Sequence, residues 1–94
     1  MTQTERIEYM EAILNEGQCA VQELADALER YQSVKPRVDE LEAYYTSRLW
    51  MQDYEDDCAG RLPQSLKRGV LSQDAVFDLL DGMREVEQAL KEGL

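Results

Sequence analysis

Histidine is absent from this sequence of 94 residues, and cysteine occurs only twice, as Cys19 and Cys58. Zinc sites are built from closely spaced cysteines and histidines, and disulfide scaffolds need several cysteine pairs. The two cysteines lie far apart in the sequence and form no CxxC motif. Both kinds of site are therefore excluded, and we expect two reduced thiols.

The sequence also lacks the motifs that common catalytic mechanisms use. Without histidine the most frequent general acid and base is missing, and neither a glycine-rich phosphate loop nor a Ser-x-Gly elbow is present. These absences predict a protein that is not an enzyme and that uses no cofactor.

Long apolar runs and positive charge are scarce as well. No apolar stretch approaches the length of about 18 residues that a membrane span needs, and no secretory signal is recognisable, so we expect a cytoplasmic protein. Ten basic residues oppose twenty acidic residues, which gives a net charge of -10. Such a chain repels the phosphates of nucleic acids and of anionic lipids, so neither a nucleic acid nor a membrane is an expected partner.

The length of the chain predicts one domain, which we place at residues 1–94. Apolar residues make up 44% of the sequence and recur periodically, a pattern that favours folding over disorder. Domains of this size often gain stability from a partner, so oligomerisation is expected.

Eight residues near the amino terminus repeat at alternating steps of three and four, and we call them the seam. They are Ile7, Met10, Leu14, Gly17, Val21, Leu24, Leu28 and Tyr31. This heptad spacing places them along one side of a helix, and Thr2 with Glu5 forms a capping-box pattern at its start. The pattern predicts a first helix of about 28 residues that ends at Tyr31 and packs against another helix. The expected partner is a second copy, in a homodimer, or another protein.

The rest of the sequence predicts three further helices. Proline is tolerated in the first turn of a helix, so a second helix is expected over residues 36–46. A third is expected over residues 48–59, with Gly60 as its left-handed stop, and Ser72 caps a long last helix. The predicted fold is an all-α, irregular four-helix bundle with long first and last helices and two short middle helices.

Acidic residues at helical spacing are the candidate metal ligands. Asp53 stands one turn from Asp56 and Asp57, and Glu8 stands one turn from Glu11. Such carboxylate pairs bind divalent cations in all-helical nucleotide pyrophosphohydrolases, which makes a metal-dependent enzyme of that kind the first alternative function. A chain with twenty acids contains many such pairs by chance, so the sequence favours a solvated acidic face.

A basic group follows the acidic one. Arg61, Lys67 and Arg68 could bind an anion, because arginine recognises phosphate and carboxylate groups with two parallel hydrogen bonds. The sequence favours the other interpretation, in which this loop folds back and neutralises the acidic helix before it.

The aromatic residues of the middle segment also allow two interpretations. These are Tyr44, Tyr45, Trp50 and Tyr54. They could line a recognition pocket, or they could fill the core between short helices. Core filling is favoured, because the chain contains only one tryptophan and one phenylalanine for packing.

Several segments of the chain resemble a known family. The segments are Leu41–Tyr45, Trp50–Glu55, Leu62-Pro63 and Leu66–Ser72. Together with the long, heptad-like first helix, they resemble the short bacterial proteins grouped as domain of unknown function 4298. The resemblance implies a bacterial, all-helical, cytoplasmic protein and carries over no catalytic residue.

The sequence as a whole predicts a non-enzymatic interaction module that works through the seam, by self-association or by binding a partner helix. The metal-dependent hydrolase is the first alternative. A second alternative is an acidic decoy that occupies the basic site of a nucleic-acid-binding protein, as the charge of -10 suggests.

Overall fold

A computed structural model describes residues 1–93 of the chain. These residues form three α-helices and one turn of 3₁₀-helix, and they contain no strand. The helices are α1 (Gln3–Tyr45), α2 (Arg48–Cys58) and α3 (Ala75–Gly93), and the 3₁₀ turn spans Gly69–Leu71. The all-α class is confirmed, whereas the predicted count of four helices is wrong.

The start of α1 follows the predicted capping box. The backbone N–H of Glu5 donates to the Thr2 hydroxyl at 3.2 Å, and the backbone N–H of Thr2 donates to the Glu5 carboxylate at 3.3 Å. This reciprocal pair satisfies two backbone donors that would otherwise have no partner within the helix.

The predicted boundary at Pro36 is wrong, because α1 continues through this residue for 43 residues in all. A proline inside a helix removes one backbone hydrogen bond and crowds the carbonyl one turn before it. Two contacts hold the helix beyond the proline. Val38 is buried, and the Tyr45 hydroxyl donates to the backbone carbonyl of Gln73 at 2.8 Å. These contacts anchor residues 38–45 within the second unit.

The ends of α2 agree with the local signals in the sequence. The Ser47 hydroxyl accepts from the backbone N–H of Trp50 as the amino-terminal cap. At the other end Gly60 has φ of 73°, and the backbone N–H groups of Gly60 and Arg61 donate to the carbonyls of Asp57 and Asp56. This is the hydrogen-bond pattern of a Schellman motif, so the predicted glycine stop is confirmed.

The connection between α2 and α3 is ordered by its own contacts. The 3₁₀ turn places Leu71 in a buried position, and the Ser72 hydroxyl accepts from the backbone N–H of Ala75 at the start of α3. The predicted capping role of Ser72 is therefore confirmed.

The chain divides into two compact units just after Pro36. The first unit is Met1–Arg37, the amino-terminal part of α1, and the second begins at Val38. The second unit holds the end of α1, α2, the 3₁₀ turn and α3. Its buried apolar side chains are Val38, Trp50, Leu71 and Val76.

Replacing the interior proline tests the continuity of α1. We expect Pro36→Ala to raise the free energy of unfolding by about 2 kcal/mol. Proline costs roughly 3 kcal/mol inside a helix, and the greater flexibility of the unfolded variant offsets part of the gain from removing it. Urea unfolding followed by far-ultraviolet circular dichroism measures the change. Arg37→Ala, at the next exposed position, is the control and should change little. A lower unfolding midpoint for Pro36→Ala would contradict a helix that continues through this residue.

Candidate functional site

The seam lies along the first unit, on a helix that positions its side chains by the heptad period. Residues 7, 14, 21 and 28 occupy one line of the seam, and residues 10, 17, 24 and 31 occupy the other. The six aliphatic side chains of the seam range in exposure from 43% at Leu28 to 69% at Val21. Gly17 is also exposed, and Tyr31 is half-buried.

Two rows of residues flank the seam and differ in character. One row, which we call the apolar edge, contains Arg6, Ile13, Ala20, Ala27 and Val34. The other, the polar edge, contains Thr4, Glu11, Gln18, Ala25 and Gln32. Ile13 is 48% exposed and Val34 is 39% exposed, so the apolar edge widens the stripe on one side. The eight-residue seam did not include this edge. Its residues could have been found in the sequence, because each stands one position before a residue of the 7, 14, 21, 28 line or its continuation at position 35.

Charge is concentrated on the outer face of the same helix. The first unit contains seven acidic residues, and all but Glu11 lie at positions that point away from the seam and its two edges. Arg6 and Glu11 are the charged residues on the edges. A helix laid against the seam would therefore meet few like charges, although the chain as a whole is strongly acidic.

Three of the four acidic residues of α2 have side-chain partners in the second unit, and the fourth, Glu55, is exposed. Arg61 donates to Asp56 at 2.7 Å, and Arg68 donates to Asp57 at 2.8 Å. Asp53 accepts from the hydroxyl of Tyr44 at 2.6 Å. Each of the three candidate metal-ligating aspartates thus receives a hydrogen bond from another side chain.

The described residues offer no group of three or more cysteine, aspartate and glutamate side chains placed to hold a metal ion. Glu8 and Glu11, the other candidate pair, are exposed on α1. Cys19 and Cys58 are free and exposed.

Two of the three residues of the basic group form ion pairs, and the third is exposed to solvent. Arg61 and Arg68 neutralise the helix that precedes them, as in the intramolecular interpretation, and Lys67 is exposed. The Arg68–Asp57 pair is the more enclosed of the two ion pairs, with side-chain exposures of 32% and 25%. Binding of an anion at this loop stays a prediction.

The aromatic residues surround Trp50, which is 7% exposed. Tyr45 meets the Trp50 ring edge-on and Tyr54 stacks on it, both with ring centroids at 5.2 Å. The indole N–H donates to the carbonyl of Val70 at 2.9 Å. Such contacts are typical of core packing, and they tie α1, α2 and the 3₁₀ turn together.

Two tyrosine hydroxyls titrate abnormally because of their surroundings. Burial, followed by the hydrogen bond and negative charge of Asp53, raises the pKa of Tyr44 to about 12. The Cys58 side chain, first by hydrogen bonding and then by charge, raises the pKa of Tyr54. In both cases the neutral hydroxyl is favoured, so neither group is prepared to act as a base near neutral pH.

None of the described helices combines the length and the apolar character that crossing a bilayer requires. The family model described as Domain of unknown function (DUF4298) matches residues 7–92. No curated protein and no solved structure matches the chain.

The Tyr44–Asp53 hydrogen bond predicts a pH-dependent stability. Because the pKa of Tyr44 is raised above its ordinary value, its contribution is fully present below about pH 10 and is lost as the pH rises toward 12. We expect Tyr44→Phe to lower the free energy of unfolding by about 1 kcal/mol at neutral pH. The variant should also show a smaller change of this free energy with pH between pH 10 and 12. Urea unfolding at several pH values measures both effects.

Tyr9→Phe is the control for this experiment, because Tyr9 is exposed on α1. Titration of tyrosinate absorbance should show a component near pH 12 that is missing only in Tyr44→Phe. Equal titration curves for the two variants would contradict the assignment.

Proposed function

The chain belongs to the DUF4298 family, whose description assigns no activity, and we propose that it is a non-enzymatic interaction module whose seam packs against another helix. The observation that carries the proposal is the exposure of the seam. Six aliphatic side chains along one side of a single helix are each at least 43% exposed. Contiguous apolar patches of this kind mark interaction surfaces in soluble proteins.

The energetics of a long single helix support a partner. Isolated helices are marginal in water, and most helical stability in proteins comes from packing of an apolar face. Fully burying one leucine-sized side chain stabilises a protein by about 1.5–3 kcal/mol relative to leaving it exposed. Completing the burial of six half-exposed side chains therefore contributes several kcal/mol to the stability of a complex. A helix that covers the seam therefore supplies the packing that the first unit needs.

The charge pattern supports the same surface. The acidic residues of the first unit lie mainly on the outer face, where water solvates them, and the two edges carry only Arg6 and Glu11. A partner helix with an apolar stripe would bury the seam without burying unpaired charges, which is the costly event in such an interface.

The metal-dependent hydrolase alternative gains no favourable observation. Freeing Asp53, Asp56 and Asp57 for a cation would break two ion pairs and one hydrogen bond. The acidic decoy alternative stays a prediction that rests on the net charge of -10.

Substitution on the seam tests the proposal. We expect Leu24→Asp to reduce association at least tenfold, because it places a charge in the centre of the apolar interface, where even a loss of 1.4 kcal/mol weakens binding tenfold. Sedimentation velocity measures self-association. Capture from a native lysate with the tagged chain, followed by mass spectrometry, measures binding of other proteins.

Asn15→Asp is the matched control, because it adds the same charge on the exposed outer side of α1. It should leave sedimentation and the captured set unchanged. If Leu24→Asp and Asn15→Asp behave alike in both measurements, the seam is not the interaction surface.

A further inference from the structure

We infer that the occupant of the seam is a second copy of this chain, bound antiparallel in the register where residue i faces residue 38 minus i of the partner. The inference rests on the proposed function and adds to it the identity and direction of the partner helix. Three independent features of the first unit lead to it: the order of residue sizes along the seam, the character of its two edges, and the distribution of charge along the chain.

In this register two layers of the seam join side chains of similar size, one joins glycine to valine, and the outermost joins Ile7 to Tyr31. In the antiparallel register Leu14 faces Leu24 and Met10 faces Leu28, so similar side chains meet. Gly17, the smallest residue of the seam, faces Val21. Apart from its chain neighbours and the backbone of its own helix, no atom of the described residues lies within 4 Å of the place where a Cβ of Gly17 would be. The β-branched side chain of one copy thus fills the space left by the glycine of the other.

A parallel pair in register would pack less well. Each residue would then face its own copy, so Gly17 would face Gly17 and leave a void in the middle of the interface. Voids are costly because the atoms around them lose their packing contacts. Tyr31 would also face Tyr31, which would place the two bulkiest side chains of the seam in one layer.

The apolar and polar edges of the seam also favour an antiparallel pair. In an antiparallel pair each edge meets its own counterpart, so Ile13 approaches Ala27 and Ala20 approaches Ala20 along the apolar edge. The polar edge likewise meets the polar edge, with Gln18 near Gln18. In a parallel pair the apolar edge would lie against the polar edge, and Ile13 would approach Gln18. Antiparallel pairing therefore joins apolar to apolar and polar to polar surface.

The long-range charge also favours antiparallel pairing. Residues 38–94 carry thirteen acidic and six basic residues, a net charge of -7, whereas residues 1–37 carry -3. In a parallel dimer the two acidic segments would begin at the same end of the seam. In an antiparallel dimer they begin at opposite ends, about 36 Å apart along the helix pair, which favours antiparallel pairing of two like-charged chains.

Distance measurement between spin labels tests the direction and the register together. Cys19 and Ser33 both lie on the outer face of α1, away from the seam. One sample carries a label on native Cys19 with Cys58→Ser. The other carries a label on Ser33→Cys with Cys19→Ser and Cys58→Ser. Pulsed electron spin resonance gives the distance between the two labels of a dimer.

The register predicts different distances for the two samples. Position 19 is the centre of symmetry, so its labels are separated only across the helix pair, by about 20–25 Å. Each residue of displacement from the centre adds about 3 Å along the axis, because both helices rise 1.5 Å per residue in opposite directions. Labels at position 33 are therefore offset by about 42 Å along the axis, and we expect a distance of roughly 45–50 Å.

Each result has a definite meaning. A short distance at position 19 with a long distance at position 33 supports the antiparallel register. Short distances at both positions would overturn the inference and leave the proposed function standing, because the dimer would then be parallel. The absence of a dipolar distance, with only monomer in sedimentation, would overturn the second copy as occupant, and seam-dependent capture of another protein would still support the proposed function. Adding Leu24→Asp should abolish the dimer distances in both samples.

Discussion

Burial of Trp50 is the interaction on which the second unit depends. Its ring lies between Tyr45 and Tyr54, and its indole N–H is bonded to the carbonyl of Val70 twenty residues further along the chain. The Tyr45 hydroxyl adds a bond to the backbone at Gln73, just before α3. Trp50 thus joins the end of α1, α2 and the 3₁₀ turn, and Tyr45 extends the contacts to the approach to α3. The core around it is small, with Val38, Leu71 and Val76 as the other buried apolar residues of the described chain.

A small core leaves much of the apolar surface of this sequence exposed. Because a domain of this size buries a smaller share of its surface than a larger one, a partner is a common source of additional stability. We propose that the exposed seam on α1 is the surface that such a partner covers. The first unit and the second unit therefore have separate roles in this account. The second unit holds the fold through Trp50, and the first unit presents a helix whose apolar stripe and outer charges are separated.

Local signals in the sequence predicted the ends of the elements well. Ser47, Gly60 and Ser72 act where their short-range chemistry places them, because a cap involves residues only a few positions apart. The prediction that a new helix starts near Pro36 was wrong. The local preference of this proline indicates a helix start, but α1 continues through it, and contacts of Val38 and Tyr45 within the second unit hold the residues that follow. A propensity rule contains no information on such long-range contacts.

The candidate site shows the same limit. The spacing of the seam was readable from the sequence, because helical period alone fixes which side chains share a face. The sequence also indicated that the basic loop would neutralise the acidic helix before it, and Arg61 and Arg68 form ion pairs with Asp56 and Asp57. It did not identify the individual pairs, since Arg68 and Asp57 are eleven residues apart, nor the hydrogen bond from Tyr44 to Asp53, nine residues apart.

We propose that the seam is exposed in one chain and covered by a second. Hydrogen exchange of the backbone amides in residues 7–31, measured over a range of protein concentrations, distinguishes a covered seam from an uncovered one. We expect protection of these amides to rise with protein concentration, while the amides of α2 exchange at rates that do not depend on it. Protection of residues 7–31 that is equal at all concentrations would show that no second copy covers the seam.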